Sequence, residues 1–305
     1  MTTELETRAD AIASRVRKFV FDAPDYRHCA WVTIFAVAAI DWIWARRDGL
    51  TIAGVLPPVA AIAFLAAVGA IYGTTRRNMK LADLGHYTAL WFALAVAVNL
   101  YSYMVATLRL PMRDADFARM DAALGFDWAA CIKALEPHHG FQYLLGYAYN
   151  SFPVQIIFSI ALFAFSGRRD RNREMLWIGL FGALIATSVS GLLPALGPYL
   201  DDSIPSWSAV LLAIRNGSLT IFTIAEMQGI VSFPSFHTVL ALMLIYVHRP
   251  PSWTFVPIAI LNALMLTAIP FAGHHYIVDV IAGVAVTALC IWIVRLMDDE
   301  STRRE

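Results

Sequence analysis

Long apolar runs separated by short polar breaks dominate this chain. Read for stretches of about 17–25 apolar residues, the length needed to cross a bilayer as helix, the pattern predicts about eight spans. They lie near 29–46, 51–73, 87–108, 141–165, 174–196, 234–248, 253–271 and 275–297. The sixth is the shortest, because His248, Arg249, Pro250 and Pro251 end it. At about 1.5 Å per residue it covers roughly 22 Å of a core about 30 Å thick, so its His237 end is expected slightly below one surface. The expected fold class is all-α, a polytopic membrane helix bundle with a six-helix core on its C-terminal side. The expected division is a cytoplasmic segment 1–28, two accessory spans in 29–86, the six-helix membrane core 87–297 and a cytoplasmic tail 298–305.

Composition agrees with the pattern: of 305 residues, 59% are hydrophobic and 15% charged, and the mean hydropathy is +0.60. That is too apolar for a soluble domain of this length. The formal net charge of zero gives no reason to expect nucleic acid as a partner. Cys29, Cys131 and Cys290 are too scattered for a disulfide framework or a zinc site and read as small apolar fillers. Glu4, Glu6 and Asp10 precede the first basic run, unlike the layout of a cleaved signal peptide, so the first span is expected to stay as an anchor.

Charge distribution sets orientation. With eight spans, sixteen of the 23 Lys and Arg residues fall on the side of the termini and seven on the other. The positive side faces the cytoplasm, which predicts a multi-pass plasma (inner) membrane protein with both termini inside. Spans six and eight then both run from outside to inside, so His237 and His275, 38 residues apart, converge on the outer face. Between spans three and four, Phe117, Met120, Leu124, Phe126, Trp128 and Leu135 interleave with acids from Asp114 to His139. This suits an interfacial helix or a plain connecting loop. The loop Gly197–Val231, with Asp201, Asp202, Arg215 and Glu226, is long enough to act as a lid or substrate wall.

The chemistry concentrates in Ser232-Phe233-Pro234-Ser235-Phe236-His237 and Gly273-His274-His275-Tyr276-Ile277-Val278-Asp279. On a helix, His275 and Asp279 share a face and touch. A carboxylate on one ring nitrogen fixes the tautomer, leaves the other nitrogen as nucleophile and stabilises the cation formed on attack. His237 is placed to protonate the departing oxygen and then activate the acceptor. Ser232 and Pro234 read as a helix cap and first turn, and Gly273 as a tight entry into span eight. Two helix N-termini would then face an anion. A lone interfacial histidine is more often a wet polar anchor, but a carboxylate buried four residues after one is costly unless paired. A metal held by His237, His274, His275 and Asp279 is the competing chemistry. No further carboxylate or cysteine cluster supplements it.

These residues resemble the type 2 phosphatidic acid phosphatase superfamily, and more closely its branch of inositol phosphorylceramide synthases, the inositolphosphotransferases. The superfamily's Pro-Ser-Gly-His is similar to Pro234-Ser235-Phe236-His237, and its His-x-x-x-Asp to His275 and Asp279; Phe236, His274-His275-Tyr276 and Gly283 look synthase-like. The resemblance, over about the last 110 residues, implies an enzyme needing no metal or cofactor. His275 would be the phosphorylated nucleophile, Asp279 its orienter and His237 the acid and base, with Ser235, Phe236, Arg215, His274 and Tyr276 around the phosphate or substrate. Ala268-Ile269 stand where the superfamily has Ser-Arg, and a Lys-x6-Arg-Pro motif is absent. Fewer cations suit a singly charged phosphodiester better than a dianionic monoester, which favours headgroup transfer from a membrane lipid to a polar or lipid acceptor.

Other polar residues in the spans have two readings. Asn99, Tyr101, Tyr149, Ser151 and above all Asn150 and Gln155 line a headgroup cavity or, more commonly for such residues, tie helices together. Asp41, beside Trp42 and Trp44, is expected at the interface with the aromatic belt. Two further functions compete with the enzyme: a transporter using His237, His275 and Asp279 as a proton relay, and an inactive scaffold of the same fold.

Overall fold

The computed structural model describes residues 27–199 and 204–302. The N-terminal segment through residue 26, Asp201, Asp202 and residues 303–305 of the tail lie outside it. The chain is an integral membrane protein and almost wholly helical. In order it forms α1 (Arg27–Arg47), β1 (Thr51–Ala53), α2 (Leu56–Thr74), α3 (Met79–Ala106), α4 (Asp114–Ala123), α5 (Trp128–Leu135) and α6 (His139–Asn150). There follow α7 (Phe152–Phe165), α8 (Arg169–Leu192), α9 (Ser206–Asn216), β2 (Ile221–Thr223), α10 (Phe236–Val247), α11 (Phe255–Ala272) and α12 (Ile277–Thr302).

Among the described residues six helices are long and apolar enough to cross a membrane: α1, α2, α3, α8, α11 and α12. The expected fourth span is two helices, α6 and α7, meeting at 48°. Pro153 in the first turn of α7 lacks the N–H that would continue the ladder of α6. The expected sixth span is α10, only 12 residues long and so about 18 Å. The third begins at Met79, earlier than its apolar run, because Asn78 caps it by accepting from Leu81 N–H.

The centre of the bundle is α3 and α8, packed on each other and on α10, α12 and α7. Leu90, Ile160, Met175, Leu176, Ile178 and Leu244, all fully enclosed, fill it. On the periphery α1 and α2 pack against α3, and α2 turns Leu56, Val59, Phe64 and Ile71 outward, as suits a lipid-facing helix. β1 and β2 pair in parallel, Thr51 opposite Ile221 and Ala53 opposite Thr223, joining this peripheral pair to the segment that leads into α10.

Asp41 departs from expectation. It is 0% exposed, and among the described residues both carboxylate oxygens lack a hydrogen-bond partner. It shares the buried stripe of α1 with Ala30, Ile34 and Ala45, so helix packing turns it inward while Trp42 beside it is exposed.

Candidate active site

The two histidine motifs meet at one end of the bundle, at the starts of α10 and α12. Ser235 N–H donates to the Asp279 carbonyl at 3.0 Å. Gly283, one turn further along α12, sits against α10; a Cβ there would lie 2.7 Å from the Ser235 carbonyl and 2.6 Å from Thr238 Cβ. The backbones of the two helices therefore nearly touch.

The cap of α10 is Ser235, three residues later than expected. Its hydroxyl accepts from Thr238 N–H at 3.3 Å, and the helix starts at Phe236. Ser232 lies upstream and buried, its N–H donating to the Ser190 hydroxyl. Among the described residues the N–H groups of Phe236 and His237 carry no hydrogen bond.

His275 is not on a helix either: α12 starts two residues after it. Asp279 reaches back from the first turn, and its Oδ2 accepts from His275 Nδ1 at 3.0 Å and from Tyr276 N–H at 3.1 Å. The carboxylate that orients the imidazole is thus also a helix cap, the returning half of a capping box. His275 is 3% and Asp279 0% exposed, so their bond is shielded from water. Among the described residues Asp279 Oδ1, Ser232 Oγ and Thr238 Oγ1 are buried without a partner.

His237 lies between two rings set by the α6–α7 bend. Tyr149 stacks on it at 4.0 Å between centroids and Phe152 meets it edge-on at 5.1 Å. A Cβ at Gly273 would lie 2.8 Å from both Tyr149 Cε2 and His275 Cδ2, so the Tyr149 ring packs beside both histidines. A chamber of about 270 Å³ opens next to His237, lined mainly by apolar side chains including Trp91, Val98 and Phe236, with Asn99, Ser102 and Thr187 as its polar wall.

The remaining sequence candidates divide. His274 has a left-handed backbone, φ 53°. Its Nδ1 donates to the Pro198 carbonyl at 3.3 Å, and burial holds its imidazole below the usual value, with that carbonyl opposing. It buttresses the turn. Tyr276 donates its hydroxyl to Asp114 Oδ1 at 3.3 Å. Arg215, in the last turn of α9, donates to the Leu110 carbonyl at 2.6 Å, and among the described residues it makes no hydrogen bond to either histidine. Asn150 donates back to Gly146. Gln155 is buried between Ser151 and Asn262. Neither amide lines the chamber at His237, because both are spent on helix hydrogen bonds.

The start of α12 is not an open anion hole. Asp121, on α4, accepts from Ile277 N–H at 2.9 Å and Val278 N–H at 3.1 Å, while Asp279 takes Tyr276 N–H. Asp114 accepts from the N–H groups of Leu196 and Gly197. Phe117, between them on α4, stacks on Phe233 at 4.5 Å and lies 5.9 Å from the Tyr276 ring. Burial pushes both carboxyls up, against these amide bonds. In the sequence α4 reads as an interfacial helix or connecting loop, and its acids carry no sign of these partners. The available signal was a pair of acids seven residues apart on the face that carries Phe117.

Comparison with known proteins gives one finding. The family model described as PAP2 superfamily matches residues 115–293, which takes in α4 from its second residue, the bent pair and both histidine motifs. No curated protein and no solved structure matches the chain.

Proposed function

The chain belongs to the PAP2 superfamily, and we propose that it is a lipid phosphotransferase that works through a phosphorylated histidine and favours headgroup transfer over phosphate release. The buried His275 Nδ1–Asp279 Oδ2 bond carries the reading. With its proton committed to Asp279, Nδ1 leaves the Nε2 lone pair free for phosphorus.

In the first step Nε2 attacks phosphorus, the bond to the departing oxygen breaks, and His237 gives that oxygen its proton. In the second, His237 takes the proton of an acceptor hydroxyl, the acceptor oxygen attacks phosphorus, and the P–N bond breaks to restore His275. Asp279 stabilises the imidazolium in between. The N–H groups of Phe236 and His237, free at the start of α10, support a phosphate site there, aided by the helix dipole. The Ser235 hydroxyl, which accepts from Thr238 N–H, still has its own proton to give. The scheme is metal-independent: imidazoles of the chain carry both proton and phosphoryl group.

Three observations favour a singly charged phosphodiester donor, as in the inositol phosphorylceramide synthase branch. Ala268 and Ile269, in place of Ser-Arg, are enclosed core residues. Arg215 is engaged with Leu110. The chamber beside His237 is mainly apolar. By the lysine and arginine distribution the site faces outward, with both termini inside.

The test is product analysis with purified protein in vesicles containing labelled phosphatidic acid, labelled phosphatidylinositol and a lipid alcohol. Headgroup transfer from the inositol lipid is expected, with little inorganic phosphate released from phosphatidic acid and turnover abolished in His275→Ala. Undiminished turnover by His275→Ala would remove the histidine mechanism. Phosphate release alone would replace transfer by hydrolysis.

A further inference from the structure

The two amides that open α12 are held from another part of the chain. Helices are usually capped by a side chain just upstream, yet the residue before Ile277 is a tyrosine. The role passes to Asp121, 156 residues away from Ile277 in sequence. Its carboxylate is 4% exposed, with one oxygen on each amide.

The site depends on this grip. His275 lies in a short non-helical turn between the end of α11, where Gly273 N–H donates to Ile269, and the start of α12. The turn has a left-handed residue at His274, and His275 itself is fixed by the Asp279 bond. Wherever α12 begins, Asp279 and the His275 ring go with it. Asp114, Phe117 and Asp121, at i, i+3 and i+7, share a face of α4. They reach the Tyr276 hydroxyl, the rings of Phe233 and Tyr276, and the first amides of α12. One short helix thus clasps the lead into α10 and the turn into α12.

We infer that Asp121 is a positioning residue: through the Ile277 and Val278 amides it holds the 273–276 turn, and with it the His275 imidazole, at the angle that in-line attack requires. The inference rests on the reading of His275 as nucleophile. Each Asp121 oxygen is engaged by one of these amides; as a positioning residue, its loss moves the nucleophile and leaves lipid binding in place. A misplacement of about 1 Å costs on the order of 10²-fold in rate.

The experiment uses full-length wild type, Asp121→Asn, Asp121→Ala and His275→Ala in phosphatidylcholine vesicles containing labelled phosphatidylinositol and a lipid alcohol. In Asp121→Ala, kcat is expected to fall about 10²-fold with KM within about twofold. Asp121→Asn, whose amide oxygen still accepts one N–H, recovers about tenfold of that loss. A readout independent of turnover is the ring resonance of His275 in ¹⁵N-histidine-labelled protein, assigned by its loss in His275→Ala and expected to shift in both Asp121 variants. If Asp121→Ala does not fold, Asp121→Asn carries both measurements. Lower melting temperature with unchanged kcat and an unmoved His275 resonance overturns the inference, as does a raised KM with kcat intact. Turnover by His275→Ala instead overturns the functional reading; inactive His275→Ala beside fully active Asp121 variants overturns the clasp alone.

Discussion

Gly273 is where the site tolerates least. Its φ of −93° is open to any residue, so conformation does not require glycine there; space does. A Cβ would crowd the Ile269 carbonyl at 2.7 Å and the His275 and Tyr149 rings at 2.8 Å each, distances that side chains do not sustain. Gly273→Ala is therefore expected to push the two rings apart. Turnover should fall by one to two orders of magnitude, roughly, and stability in detergent by about 1–3 kcal/mol, because the Ile269 carbonyl is backbone and yields poorly. Steady-state kinetics beside a melting curve checks this, and wild-type kcat would show that the rings are not held by this contact. In sequence Tyr149 reads only as one of several polar residues in a span. Its stacking on His237 depends on the bend at Pro153, which the continuous apolar run over 141–165 conceals.

At the scale of elements, the start of α10 depends on how closely α12 approaches. Gly283→Val would place branched carbons against Ser235 O and Thr238, and backbone cannot yield as a side-chain tip does. The expected cost is about 1–3 kcal/mol of stability together with loss of turnover, read by thermal unfolding and product assay on one preparation. The apolar runs made the membrane helices legible, including the shortness of α10. The four-residue spacing of His275 and Asp279 also announced their contact, though the helix starts later and the carboxylate reaches back to make it. What stayed hidden were partnerships across the chain. Asp121 meets Ile277 over 156 residues and Asp114 meets Tyr276 over 162, and the local hydrophobic pattern carries no trace of either. Helix termini misled for a related reason. An N-terminus advertises free N–H groups, but whether an anion or a carboxylate of the same chain occupies them is decided by tertiary structure.

For the whole molecule, the outward-facing reading can be checked with a native reporter. Cys131, on α5 near the site, is partly exposed, whereas Cys29 and Cys290 are buried. A membrane-impermeant maleimide added to intact cells is expected to label the protein, and Cys131→Ser to abolish the label; labelling only after permeabilisation would reverse the orientation. The parallel pairing of Thr51–Ala53 with Ile221–Thr223 has a different consequence, for biosynthesis. A nascent chain emerges from its N-terminus, so β1 is made, and α2 to α9 after it, long before the strand it needs exists. The seam therefore closes only in a chain translated through α9 and β2. Until then its edge offers unpaired backbone groups, which makes the unfinished protein, rather than the finished one, the form that most needs protection from wrong partners.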